Sequence, residues 1–189
     1  MWNEATVTNC SAPAVDFPRA AASDSRMSDA TTNTTVLQPG ATAPKFKLPA
    51  STGDTIDLAD FRGKRVVLYF YPKADTPGCT TEACGFRDAI AGYRKLDVPV
   101  FGISPDPVAD VKAFAEKFNL NFPLLADADH AVTEEFGVWQ EKSMYGKKYM
   151  GAARMTFVID EEGKIEHVFE KVKPEGHDQE VLEYLRASN

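Results

Sequence analysis

The chain has 189 residues, 43% of them hydrophobic and 26% charged, with a net charge of −7 and a pI near 5.0. That balance suits one globular domain with length to spare, and the acidic surplus argues against nucleic-acid or anionic-membrane partners. No apolar run approaches the roughly 18–20 residues of a membrane span. Three cysteines make no disulfide framework, and the odd count points to a reducing compartment, hence a cytoplasmic location.

Residues 1–38 are rich in Ala, Ser, Thr, Asn and Asp and show no helical or strand period, which predicts a disordered or loosely packed leader. The leader lacks the basic start and apolar core of a secretory signal, and Asp16, Asp24 and Asp29 argue against an organelle transit peptide. Met27 is an alternative start, and Cys10 is read as incidental rather than as a mobile thiol serving the rest of the chain.

The folded body is expected over 39–189. Phe46-Lys-Leu48 and Thr55-Ile-Asp-Leu58 alternate around Ser51-Thr-Gly-Asp54, a hairpin pattern. Val66 to Tyr71 is continuously apolar and β-favouring, as in a central strand buried on both faces, and Pro72 removes a ladder donor and ends it. A helix is predicted over 78–95, with Cys79, Ala83, Phe86, Ile90 and Tyr93 on its packed stripe and Cys84 on the more polar side. Val98 to Ile103 reads as the next strand. Asp106 is placed as a helix cap before Pro107, with Val108, Val111, Phe114 or Ala115, and Phe118 facing inward. Pro123 to Ala126 is a short strand, and 127–136 a capped turn or short helix. Residues 138–153 read as a loop with Gly146 and Gly151. Strands at 155–160 and 164–170 and a helix at 177–187, with Val181, Leu182 and Leu185 inward, close the chain. Strands alternating with helices give an α/β sandwich with a mixed sheet.

The chemistry concentrates at Thr76-Pro-Gly-Cys79. A cysteine in the first turn of a helix faces free backbone N–H groups and the positive end of the helix dipole, the setting that makes a thiol reactive. Thr76 offers a hydroxyl to an anion, and Gly78 leaves room for a substrate. Cys84 lies five residues on. Two cysteines so spaced on a regular helix are about 8–9 Å apart at the α-carbon, beyond the roughly 7 Å limit for a disulfide. Either they never pair, or the helix start unwinds. The spacing is not a Cys-x-x-Cys redox motif, no Cys/His set has zinc spacing, and His130, His167 and His177 are placed at the surface. The chemistry so read requires no cofactor and no metal.

The stretch Tyr71-Pro72-Lys-Ala-Asp-Thr76-Pro-Gly-Cys79-Thr-Thr-Glu82-Ala-Cys84-Gly-Phe86-Arg87-Asp88 closely resembles the active-site segment of peroxiredoxins, in particular the bacterioferritin-comigratory or PrxQ type. Gly102-Ile-Ser-Pro-Asp106, Phe122 to Asp127, Gly137-Val-Trp139 and Arg154 to Asp160 match as well, so the resemblance spans about 38–187. It implies a thioredoxin-like three-layer α/β/α sandwich with a mixed central sheet and an N-terminal β-hairpin. It also implies a peroxidatic Cys79, a resolving Cys84, Thr76 bonding thiolate and peroxide, Pro72 shielding the site, and Arg154 as the active-site cation. Met155 departs from the small polar residue commoner after that arginine. Glu82 either favours the positive helix start or sets the hydrogen bonding of Arg154. By the same resemblance the substrate is a hydroperoxide, the reductant is thioredoxin or a similar dithiol protein, and the protein is a monomer. Two other classes compete: a protein thiol–disulfide oxidoreductase, which the missing Cys-x-x-Cys opposes, and a non-enzymatic binding module on the same fold.

Overall fold

A computed structural model describes residues 35–144 and 146–188; Cys10, Met27 and most of the expected leader lie outside them. A mixed five-stranded sheet forms the centre, ordered β5-β4-β3-β8-β9. It is built from β3 (Val66–Phe70), β4 (Val100–Ser104), β5 (Leu124–Ala126), β8 (Met155–Ile159) and β9 (Ile165–Phe169). Strand β3 runs parallel to β4 and antiparallel to β8, with Tyr69 opposite Gly102 on one side and Thr156 on the other. This is the thioredoxin-like fold expected, and β3 is the buried central strand its apolar run predicts.

The alternation along β3 decides what each face of the sheet carries. Val67, Tyr69 and Tyr71 point to the face covered by α1 (Pro77–Lys95), α2 (Val108–Lys117) and α4 (His177–Ala187). Val66, Leu68 and Phe70 point to the opposite face, under the hairpin of β1 (Lys47–Pro49) and β2 (Thr55–Asp57) and the short helix α3 (Ala131–Glu135). Phe70, Phe136 and Phe157 pack there edge to face or tilted, with centroids 5.1–5.6 Å apart. Val36 and Leu37 pack against this second core, and the Leu37 N–H donates to the Phe136 carbonyl at 3.4 Å.

Helix α4 approaches α1 closely because α1 presents glycines to it. A Cβ on Gly85 would lie 2.6 Å from the Asp178 carboxylate, and one on Gly92 2.7 Å from Leu182. The Tyr93 hydroxyl donates to the Asp178 carbonyl at 2.5 Å along the same seam.

Four expectations change. Pro107, not Asp106, caps α2, and Val108 in the first turn of that helix is 39% exposed. By contrast the short helix expected within 127–136 is present as α3: His130 holds its N-cap position, and the Asp127 carboxylate accepts from the N–H groups of Val132 and Thr133 and from the Thr133 hydroxyl. The loop expected over 138–153 is a second hairpin, β6 (Trp139–Met144) with β7 (Lys147–Ala152), which hydrogen-bonds to no strand of the central sheet. Its second strand is exposed from Lys147 to Met150, apolar Tyr149 and Met150 included, and is buried only at Ala152, so no two-residue hydrophobic period marks it. Finally, His177 is 1% exposed rather than at the surface, because α4 carries it in against Phe86 and Phe169.

Candidate active site

Strand β3 delivers the chain to Pro72, which is half-buried at the strand exit. The four residues that follow make a tight turn held from outside. The Ala74 N–H donates to the Asp106 carboxylate at 2.7 Å, so Asp106 anchors this loop instead of capping a helix. Asp75 takes a left-handed backbone, φ 55°, and its carboxylate pairs with Lys117 of α2 at 2.7 Å. Helix α1 then starts at Pro77, where a missing N–H costs nothing.

Cys79 is the third residue of α1, a free thiol with 1% of its surface exposed. Across from it, Arg154 enters from the two-residue joint between β7 and β8, and its Nη2 donates to Sγ at 3.2 Å. Gly78 allows this approach, since a Cβ there would stand 3.3 Å from both Arg154 Nη2 and the Pro174 ring. The other guanidinium nitrogen, Nη1, donates to Glu82, one helical turn beyond Cys79 and 1% exposed. Of the two options for Glu82, the structure therefore selects the partner of Arg154. Burial pushes the Glu82 carboxyl up to about 7, with the Arg154 charge and hydrogen bond acting against that rise. For Arg154, burial works against the charge, and Glu82 and Cys79 outweigh it, so its affinity for a proton rises.

Thr76 caps α1 by position, and its carbonyl accepts from the Thr80 N–H at 2.8 Å. Its hydroxyl is not bonded to Cys79: it donates to the Lys73 carbonyl at 3.0 Å. The hydroxyl's hydrogen is thereby used, while its lone pairs can still accept. Cys84 lies on the same unbroken helix and is 4% exposed, not on a polar side as expected. The packing of α4 at Gly85 and Gly92 widens the buried face beyond the single stripe that periodicity gives. Cys84 is disulfide-bonded in this structure, though not to Cys79.

Three groups near the site were not assigned to it from sequence. Tyr69 and Tyr71 stack at 5.6 Å beneath Cys79, and burial drives both phenols well above their usual range, so they stay neutral. His177 bridges α4 to β8. Burial lowers its pKa, so the neutral ring donates from Nδ1 to Glu180 at 3.0 Å and accepts at Nε2 from the Thr156 hydroxyl at 2.8 Å. No signal in the sequence separates His177 from a surface histidine. Glu82 could be placed by its three-residue offset from Cys79, which puts both on adjoining parts of one helix face.

A buried thiol at a helix start, met by a guanidinium that a buried carboxylate holds, suits attack on a polar bond whose leaving atom gains negative charge. Comparison with known proteins agrees with that chemistry. The AhpC/TSA family model matches residues 39–168. Peroxiredoxin Bcp of Escherichia coli K12 is 53% identical over 150 residues, covering 79% of this chain and 96% of that protein. Peroxiredoxin Bcp of Bacillus subtilis 168 is 46% identical over 150 residues, with the same coverage of both chains. Among solved structures, the bacterioferritin comigratory protein of Xanthomonas campestris, studied for alkyl peroxide reduction, aligns with a TM-score of 0.74 at 36% identity. It covers 82% of this chain and 99% of that one. BcpB of Mycobacterium tuberculosis aligns with a TM-score of 0.72 at 39% identity, covering 81% of this chain and 99% of that one. The chain belongs to the AhpC/TSA family, in its Bcp/PrxQ branch of peroxiredoxins, which are thiol peroxidases.

Proposed function

We propose that the enzyme reduces hydrogen peroxide and organic hydroperoxides through Cys79, with Cys84 as the resolving thiol. The observation that carries this is the Arg154 guanidinium 3.2 Å from the Cys79 sulfur. In the reduced enzyme the Cys79 thiolate attacks one peroxide oxygen in line. The O–O bond breaks, the leaving oxygen departs as alkoxide or hydroxide and takes a proton, and Cys79 becomes a sulfenic acid. Arg154 meets the charge that develops on the leaving oxygen. Thr76, whose hydrogen is given to Lys73, accepts the hydroperoxide O–H and so orients the substrate. Pro72 shields the sulfur from bulk water.

Cys84 then attacks the sulfenic sulfur and expels water, leaving a Cys79–Cys84 disulfide. Both cysteines lie on one unbroken helix, and five helical residues span about 8–9 Å against a limit of roughly 7 Å. The first turns of α1 must therefore unwind for the bond to close. Thioredoxin or a similar dithiol protein returns both thiols by exchange. An intramolecular cycle needs no second subunit, which suits a monomer. A cytoplasmic antioxidant role fits the reducing setting, and among the described residues no helix is long and apolar enough to cross a membrane.

The test is to reduce the protein fully, add one equivalent of hydrogen peroxide and map the thiols by peptide mass spectrometry. The expected product loses two hydrogens and carries a Cys79–Cys84 link. A link from Cys79 to Cys10 would transfer the resolving role to the leader. Arrest at sulfenic or sulfinic acid would require an external thiol. An unreactive Cys79 would remove the peroxidase cycle itself.

A further inference from the structure

Arg154 is placed by an unusual route. It stands in the short joint between β7 and β8, and the hairpin that ends at Ala152 shares no ladder with the central sheet that begins at Met155. The angle between the two is set by a few local contacts. Ala153 N–H donates to the Val138 carbonyl at 2.9 Å, Gln140 donates to the Gly137 carbonyl at 2.9 Å, and Trp139 stacks on His130 with ring centroids 4.3 Å apart. These hold the start of the hairpin. A single side chain among the described residues reaches from within the hairpin to its exit, two residues from Arg154: the Lys142 ammonium donates to the Ala152 carbonyl.

The course of Lys142 is built. Lys142 faces Tyr149 across the ladder. Both side chains lie beside Gly151, within 3.9 Å of where a Cβ would stand, so the lysine stem runs back along the ribbon toward its base. A lysine in this half-buried position gives up hydration for one carbonyl. Burial lowers its pKa and the Arg154 charge lowers it further, while Cys79 acts in the opposite sense, which places the ammonium within electrostatic reach of both.

We propose that Lys142 is a positioning residue for Arg154: by clamping the Ala152 carbonyl it fixes the hairpin exit, and so the guanidinium, over the reacting oxygen of the peroxide. This rests on the peroxidase cycle above. Misplacement of a transition-state donor by about 1 Å costs up to about a hundredfold in rate, so a clamp on its backbone is worth a measurable part of that. The other charged or titratable groups around Cys79, namely Glu82 on α1, Tyr69 on β3, Tyr71 just after it, Asp106 after β4 and His177 on α4, stand on elements other than the hairpin.

The test compares two reactions of the same sulfur. Attack on hydrogen peroxide needs Arg154 on the leaving oxygen; alkylation by iodoacetamide, which expels iodide, does not. In K142M, which keeps the stem and removes the donor, oxidation of Cys79 should slow by about tenfold while alkylation stays within about twofold of wild type. K142R, which keeps a charged donor, should recover most of the oxidation rate. The inference is overturned if K142M oxidises as fast as wild type, if both reactions slow together, or if K142R remains as slow as K142M. Wild type run alongside separates the two claims: a wild-type Cys79 that ignores peroxide sinks the cycle, whereas a reactive wild type with an unaffected K142M sinks only the clamp.

Discussion

The two faces of the central sheet solve different problems with the same strand. On one face β3 sets Val66, Leu68 and Phe70 into an apolar core, with the rings of Phe136 and Phe157. On the other it sets Tyr69 and Tyr71 beneath a thiol, a buried carboxylate and a buried imidazole. Apolar burial stabilises without conditions of pH. Buried ionisable groups are costly unless paired, and the pairing makes their contribution conditional. Both faces therefore stabilise through apolar packing, but the active face places the buried Glu82–Arg154 pair and the His177 ring where a charge must form and move.

That contrast can be broken from either side. On the dry face, Phe70→Ala should remove about 3–5 kcal/mol of stability, read from chemical denaturation, while leaving the peroxide rate of the folded fraction within about twofold. A large rate loss would mean that the faces are not separable. On the active face, Arg154→Met should lower the rate of Cys79 oxidation by about 10²–10³-fold in stopped-flow measurements. An unchanged rate would remove the guanidinium from the transition state.

The pH dependence sharpens the same point. Glu82 has a folded pKa of about 7, raised from 4.5, so its contribution is fully present below about pH 4.5 and is lost as pH rises through 7. That amounts to about 3 kcal/mol between pH 4.5 and 8. Glu82→Gln should flatten this alkaline loss, and an unchanged slope would place its origin elsewhere. His177 has the opposite sign. Its folded pKa is depressed below 6.5, so its contribution is present above pH 6.5 and fades as pH falls through the folded value. His177→Asn should reduce the acid-side loss, the smallest of these effects, visible in thermal melts between pH 7 and 5. Substitutions among the apolar residues of the opposite face, such as Phe70→Ala, should alter neither slope.

What could be read in advance follows from which residues carry a pattern. The β3 run, the α1 stripe and the cysteine at its start were legible because burial on a sheet or along one helix face imposes a period, and because proline and threonine mark the turn. The second hairpin was not, since its strand from Lys147 to Met150 is exposed on both sides and has no period to show. Arg154 could be named only through resemblance, for a cation at a strand start looks the same in sequence whether it meets solvent or a sulfur. His177 and Asp106 were misplaced for a related reason. A polar residue's partner is chosen by tertiary contact, here β8 for the histidine and the Ala74 N–H for the aspartate, and neither partner is near in sequence.

The contact between Arg154 and Cys79 spans 75 residues of chain. During synthesis at about 5–20 residues per second, roughly 4–15 s therefore separate the making of the nucleophile from that of its cation. A nascent chain carries the sulfur without the group that stabilises its transition state, and gains that group only after β8 has joined the sheet. The cation thus reaches the nucleophile late, so a chain whose synthesis has not passed β8 does not yet possess the pair.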